Sequence, residues 1–158
     1  MVSGPLVIGM GNGHRGDDRV GLDVLGELRT ILPGRARFAE GPGDFTALLD
    51  LWAGVDRVIV VDAVSSGAAP GTILRMVVGA AGIPGALRLT STHGGSLAEA
   101  VGLGQALGRM PGTLVLYGIE VEDLRPVEGL SPRVGAAVHR VVREIADELA
   151  GPAPAGSP

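Results

Sequence analysis

Leu6-Val7-Ile8-Gly9-Met10-Gly11-Asn12-Gly13-His14-Arg15-Gly16-Asp17-Asp18 runs from an apolar tetrapeptide through a glycine-rich loop into two carboxylates. Leu6 to Gly9 suit a buried strand, and beyond the loop Val20, Val24, Leu25, Leu28, Ile31 and Leu32 recur at helical spacing. Strand, glycine loop and helix is the usual opening of a phosphate-binding unit, and Gly11, Gly13 and Gly16 satisfy its G-x-G-x-x-G pattern. A helix N-terminus attracts anions through its unpaired N–H groups and partial positive charge. Here Asp17 and Asp18 stand where a pyrophosphate would lie, and would repel it. The loop therefore reads as a place for a cation, or for a partner that carries one.

Outward from this opening the chain alternates strand and helix. Ala36 to Ala39 is a weak strand ending at Glu40, and Asp44 caps a helix with Phe45, Leu48, Leu49 and Trp52 on one side. Arg57 to Val61 is a buried strand that ends in Asp62. Thr72 to Val78, rich in β-branched residues, is the next strand. Ala63 to Gly71 is too short for a helical crossover, so Thr72–Val78 runs antiparallel to its predecessor. A helix from about Ser96 to Arg109 buries Leu97, Val101, Leu103 and Leu107, and the strand Thr113 to Ile119 follows. The last helix starts at Ser131-Pro132, serine as cap and proline in the first turn, with a stripe of Val134, Ala137, Val138, Val141, Val142, Ile145 and Leu149. This order predicts one α/β three-layer domain over residues 1–150, about five strands and mostly parallel, with 151–158 as a disordered tail.

Composition narrows the function. Among 158 residues, 46% are hydrophobic and the net charge is −4, so the chain is globular and lacks the basic block that a nucleic-acid binder needs. The absence of cysteine excludes disulfides, thiolate metal sites and cysteine nucleophiles. No apolar run reaches membrane-spanning length, and the expectation is a cytoplasmic monomer.

Ligands of open parallel sheets collect beyond the carboxyl ends of the strands. Asp18, Asp62 and His93 fall on that edge, His93 within Ser91-Thr92-His93-Gly94-Gly95. Two carboxylates and an imidazole suit a borderline ion such as nickel or zinc, and three protein ligands leave open positions for water or a partner's atoms. Each residue also has a local role open to it: Asp17 and Asp18 as helix caps, Asp62 as a turn residue, His93 as a loop hydrogen-bonder. His139, off the apolar stripe beside Arg140 and Arg143, reads as a solvated surface residue, and His14 lies within the glycine loop. Glu120, Glu122 and Asp123 read as a solvated acidic loop.

Gly9-Met10-Gly11-Asn12 with Asp17-Asp18 and Gly21 resembles the N-terminal signature of the hydrogenase maturation endopeptidases. Val60-Val61-Asp62-Ala63-Val64, with Gly67 and Pro70-Gly71-Thr72 behind it, is similar to that family's second signature, and Ser91-Thr92-His93-Gly94 to its third. Gly118-Ile119-Glu120 and Leu130-Ser131-Pro132 also fall where members carry such residues. The resemblance implies an α/β/α sandwich with a five-stranded twisted sheet, one edge strand antiparallel. It implies removal of a C-terminal extension from the precursor of the [NiFe]-hydrogenase large subunit after nickel insertion. It also implies that Asp18, Asp62 and His93 contact that metal, which the substrate carries, with no organic cofactor. Many members have an apolar pair in place of His14-Arg15 and a glycine in place of Arg19, and some have glutamate at Asp18.

On this reading the metal polarises the scissile carbonyl or a bound water, or one carboxylate acts as general base. Asn12 and the Gly11–Gly13 amides are then candidates for stabilising an oxyanion. Besides a more distant rival, a self-contained metallopeptidase that holds its own zinc, two others stand beside it. One is a non-catalytic metal-recognition or chaperone module on the same fold. The other is a dinucleotide-binding oxidoreductase using Gly11, Gly13 and Gly16, with Glu40 on the ribose.

Overall fold

The computed structural model describes residues 4–11, 19–84, 88–89, 96–121 and 131–152. Its strands are β1 (Leu6–Gly9), β2 (Arg37–Glu40), β3 (Arg57–Ser65), β4 (Ile73–Val77), β5 (Arg88–Leu89) and β6 (Thr113–Glu120). Its helices are α1 (Val20–Ile31), α2 (Phe45–Trp52), α3 (Ser96–Leu107) and α4 (Pro132–Ala150). Five strands lie side by side in the order β2–β1–β3–β6–β4. The pairs β1–β2, β1–β3 and β3–β6 are parallel, and the edge strand β4 is antiparallel to β6. This is the mostly parallel five-stranded sheet expected, with two-residue β5 added antiparallel to the end of β3.

Alternation along the strands divides the core between the two faces. Val7, Ile59, Val61, Val115 and Tyr117 pack with Val20, Val24 and Leu28 of α1 and with Val134, Val138 and Val141 of α4. Leu6, Ile8, Val58, Val60 and Leu116 pack with Leu48, Leu49 and Trp52 of α2 and with Leu97 and Val101 of α3. The stripe predicted for α4 is buried from Val134 to Ile145, with Leu149 partly covered. Two positions depart from prediction: Ile31 and Leu107 are 53% and 57% exposed. Each ends its helix, where the apolar period outruns the sheet beneath it.

The caps follow local chemistry. Asp44 accepts the Thr46 N–H and hydroxyl, both at 2.9 Å, and the amide bond above all holds its carboxyl below the usual range. Ser131 takes the N-cap position of α4 with Pro132 after it, but its side chain makes no capping bond; its carbonyl accepts the Gly135 N–H at 2.8 Å. At α1 the N-cap position falls to Arg19, whose guanidinium pairs with Asp23 one turn on at 3.0 Å. Asp17 and Asp18, the carboxylates offered as caps, lie outside the described residues, as do residues 153–158 of the predicted tail.

Two strands differ from their sequence reading. The strand from Arg57 continues three residues past Asp62, to Ser65, because β6 pairs with it as far as Val64↔Glu120. The segment Ile73–Val77 has the antiparallel direction expected, yet its partner is β6 and not the preceding strand. Direction follows from the short connection, but neighbour choice depends on β6, which enters between β3 and β4.

At the amino end of the parallel strands, Arg57 donates to the carbonyls of Glu148 and Gly151, tying the start of β3 to the last turn of α4. Glu148 accepts from Tyr117 at 2.5 Å and from Arg75 at 2.9 Å, and Arg75 lies 6.0 Å from the Tyr117 ring centre. Burial alone would raise the Glu148 carboxyl. The bonds from Arg75 and Tyr117, with the charges of Arg75 and Arg57, outweigh it and hold the group below its ordinary value. Burial, then the bond to Glu148, pushes the Tyr117 hydroxyl well above the usual phenol range.

Candidate functional site

The carboxyl end of the sheet is built from backbone in close contact. Gly9 ends β1, and the Met10 N–H donates to the Val61 carbonyl at 2.8 Å as the chain leaves the sheet. Gly21, in the first turn of α1, lies directly on this exit. A Cβ there would sit 2.0 Å from the Met10 carbonyl oxygen and 2.5 Å from that of Val61, so only glycine fits. On the other side of the contact, a Cβ on Gly9 would lie 2.3 Å from the Gly21 carbonyl oxygen. The two glycines thus bring the start of α1 onto the residue before Asp62.

Asp62 is fully buried within β3. It shares a sheet face with Val58 and Val60, the face covered by α2 and α3. The β1 ladder ends at Gly9↔Val61 and the β5 ladder begins at Val64↔Leu89, so Asp62 and Ala63 lie between the two. Asp62 Oδ1 accepts the Ala63 N–H at 2.8 Å. The carboxylate therefore does bond a nearby amide, as a turn residue does, but from inside a strand and out of water. Leu97, in the first turn of α3, is buried in the same cluster as Met10 and Val60.

Of the three predicted ligands, Asp62 alone is among the described residues; Asp18 and His93 lie outside them. Asn12, Gly13, His14, Gly16, Glu122, Asp123 and Leu130 lie outside as well. Among the described residues no three of His, Cys, Asp and Glu come together to hold a metal ion. His139 is exposed, as expected, with Nδ1 3.0 Å from Glu27.

Glu120 corrects the sequence reading. It is 4% exposed, not solvated. Its carboxylate accepts the Ser66 N–H at 2.8 Å, the Gly67 N–H at 3.1 Å and the Ser66 hydroxyl at 2.9 Å. The polar residues after it suggested a surface loop. Pairing of Glu120 with Val64 instead sets it over the turn that leaves β3.

Glu40, assigned to a ribose in the dinucleotide reading, ends β2 as an exposed residue. Next to it the Met10 side chain, 2% exposed, lies against Gly41, so a thioether fills the corner beyond β1 and β2. Nucleotides bind in that crevice in open sheets of this kind. Among the described residues no helix is long and apolar enough to cross a membrane.

Comparison with known proteins gives a consistent set. A family model described as hydrogenase maturation protease matches residues 39–148. The hydrogenase 2 maturation protease of Escherichia coli K12 is 31% identical over 144 residues, covering 89% of this chain and 87% of that protein. The solved structure of the E. coli hydrogenase-maturating endopeptidase HybD superposes with a TM-score of 0.81 at 28% identity, covering 94% and 93% of the two chains. The [NiFe] hydrogenase maturation protease HybD from Thermococcus kodakarensis shares the fold, with a TM-score of 0.71 at 24% identity over 94% of this chain and all of that one.

Proposed function

Because the chain belongs to the hydrogenase maturation protease family, we propose that it is the endopeptidase that removes the C-terminal extension of a [NiFe]-hydrogenase large-subunit precursor once nickel has been inserted. The observation that carries this reading is the family match joined to one buried carboxylate. Asp62 is held in the central strand, where β1 departs and α1 begins. A carboxylate out of water is costly unless a cation or hydrogen bonds compensate it, and a metal delivered by a partner is such a cation.

In this reading Asp18, Asp62 and His93 contact the nickel that the precursor carries. Asp18 precedes Gly21 by three residues, and Gly21 lies against the carbonyl of Val61. His93 precedes α3 by three residues, and α3 covers the sheet face that carries Asp62. These sequence distances to elements packed near Asp62 support the assignment. With no cysteine in this chain, the soft thiolate ligands come from the precursor. Nickel adds Lewis acidity at the scissile carbonyl or at the attacking water. Water then supplies hydroxide to the carbonyl carbon and a proton to the departing amide nitrogen. The protein works as a cytoplasmic monomer, residues 1–150 forming its single domain, and needs no organic cofactor.

The test incubates the chain with nickel-loaded and nickel-free precursor and reads the precursor mass. Loss of a C-terminal peptide from the loaded form alone supports the reading. Wild-type processing by Asp18→Ala, Asp62→Ala and His93→Ala would remove the site assignment.

A further inference from the structure

Asp62 stands in a row of residues that crosses the sheet. The β1–β2 ladder ends at Gly9↔Glu40 and the β1–β3 ladder at Gly9↔Val61, so Met10 follows with Gly41 on one side and Asp62 on the other. Two bonds carry that step: the Gly41 N–H donates to the Gly9 carbonyl at 2.9 Å, and the Met10 N–H to the Val61 carbonyl at 2.8 Å. Beyond Asp62 the row continues to Gly118 and Leu74. Strands lie about 4.8 Å apart and side chains alternate between faces, so neighbours in a row stand side by side. Met10 packs with Leu6 and Ile8 on the face covered by α2 and α3, the face of Asp62.

Asp62 is the one ionisable residue of this row, and neither lateral neighbour lays a side chain over it. Gly118 has none to lay. The Met10 side chain turns the other way, onto Gly41: a Cβ there would lie 2.0 Å from its sulfur, 3.0 Å from Cε and 3.4 Å from Cγ. Gly41 is not among the glycines of positive φ, so space and not backbone conformation calls for glycine at this position. Methionine is unbranched and turns about three bonds, so its thioether follows whatever room its neighbours leave. Here that room is the notch over Gly41. Met10 is 2% exposed and α2 and α3 close the face above it, so a thioether driven from the notch has the side of Asp62 left to it.

We infer that Gly41 is a positioning residue that acts through Met10 on Asp62: its missing side chain gives the thioether a berth beyond β2 and keeps an apolar group off the carboxylate that meets the precursor's nickel. The inference rests on the function proposed above and adds to that site a residue with no polar side chain. A thioether laid against the carboxylate would take the place of a cation and offer no hydrogen bond in return.

The test compares wild type, G41A, M10V/G41A and, as a control on the same loop, G43A, where a Cβ meets nothing within 4 Å. With nickel-loaded precursor, kcat/KM of G41A falls by about 10-fold or more, since a misplacement of about 1 Å near a reacting centre can cost roughly 100-fold. The valine ends before the sulfur, so M10V/G41A returns to within about 3-fold of wild type, and G43A keeps the wild-type rate. A second measurement needs no precursor. In wild type the Met10 ε-methyl gives a nuclear Overhauser contact to the Gly41 α-protons. In G41A that contact passes to the Ala63 amide, which donates to Asp62 Oδ1 at 2.8 Å.

Wild-type processing by folded G41A would overturn the inference. Equal losses in G41A and M10V/G41A would overturn it too, placing the effect in the loop backbone and not in the methionine. So would a Met10 methyl that leaves position 41 without approaching Ala63, or a G41A chain that does not fold. If wild type leaves the loaded precursor uncut, the proposed function falls, while the methyl contacts still decide whether Gly41 holds Met10 away from Asp62.

Discussion

The two ends of the sheet hold a glutamate in opposite ways, half-buried at one and buried at the other. At the amino end Glu148 is met by the Arg75 guanidinium and the Tyr117 hydroxyl, while Arg57 fastens the surrounding backbone. At the carboxyl end Glu120 is met by two amides and a hydroxyl, all neutral. The first arrangement cancels a charge and ties a helix to a strand. The second fixes a loop through neutral donors among the described residues. One glutamate thus joins a helix to the sheet, and the other holds a turn at the end of β3.

The sharpest way to break this comparison is Asp62→Asn, which keeps the shape and one acceptor oxygen but removes the charge. Processing of the loaded precursor is expected to fall roughly 10²–10⁴-fold while the melting temperature moves by only a few degrees. A large loss of stability with retained turnover per folded molecule would assign Asp62 to the scaffold. Gly21→Ala comes next, since its methyl would overlap the Met10 and Val61 carbonyls. It should cost about 3 kcal/mol or more in urea unfolding. Gly26→Ala in the same helix meets nothing within 4 Å and should gain about 0.5–1 kcal/mol, so equal effects at the two glycines would discredit the close contact.

Glu148→Gln probes the amino end. Arg75 is 40% exposed and partly screened, so the expected loss is about 1–2 kcal/mol of stability with turnover unchanged. The pH dependence has a definite sign. The Glu148 carboxyl lies below its ordinary value of 4.5 in the folded chain, so its contribution is present above that pH and disappears as pH falls through the folded value. Wild type and E148Q should therefore differ in stability above pH 4.5 and converge as pH falls through the lowered folded value. The smallest effect belongs to His139→Ala: its pair with Glu27 is solvent-exposed, and chemical unfolding should register less than about 0.5 kcal/mol.

Much of the fold was legible because it rests on local signals. Asp44 capped the helix it preceded, the α4 stripe was buried as its spacing required, and a short connection gave β4 its direction. What escaped depends on distant partners. The extension of β3 past Asp62 requires β6 beside it, and β4 pairs with a strand that enters the sheet later in the chain. Glu120 escaped for the same reason: its partners, Ser66 and Gly67, lie across the sheet and not beside it in sequence. Of the site, the sequence identified Asp62 as a residue at the carboxyl end of the sheet. Its complete burial follows from β3 and β6 together.

That dependence on β6 has a consequence for how the chain is made. Arg57 pairs with Thr113, so the apolar core of β3 emerges from the ribosome well before the strand that covers its second edge. At about 5–20 residues per second the wait is roughly 3 to 11 seconds, during which Val58 to Val61 offer an open ladder to any neighbouring chain. Fragments that stop after α3 should aggregate during synthesis, and slower translation ahead of β6 should lower the soluble yield.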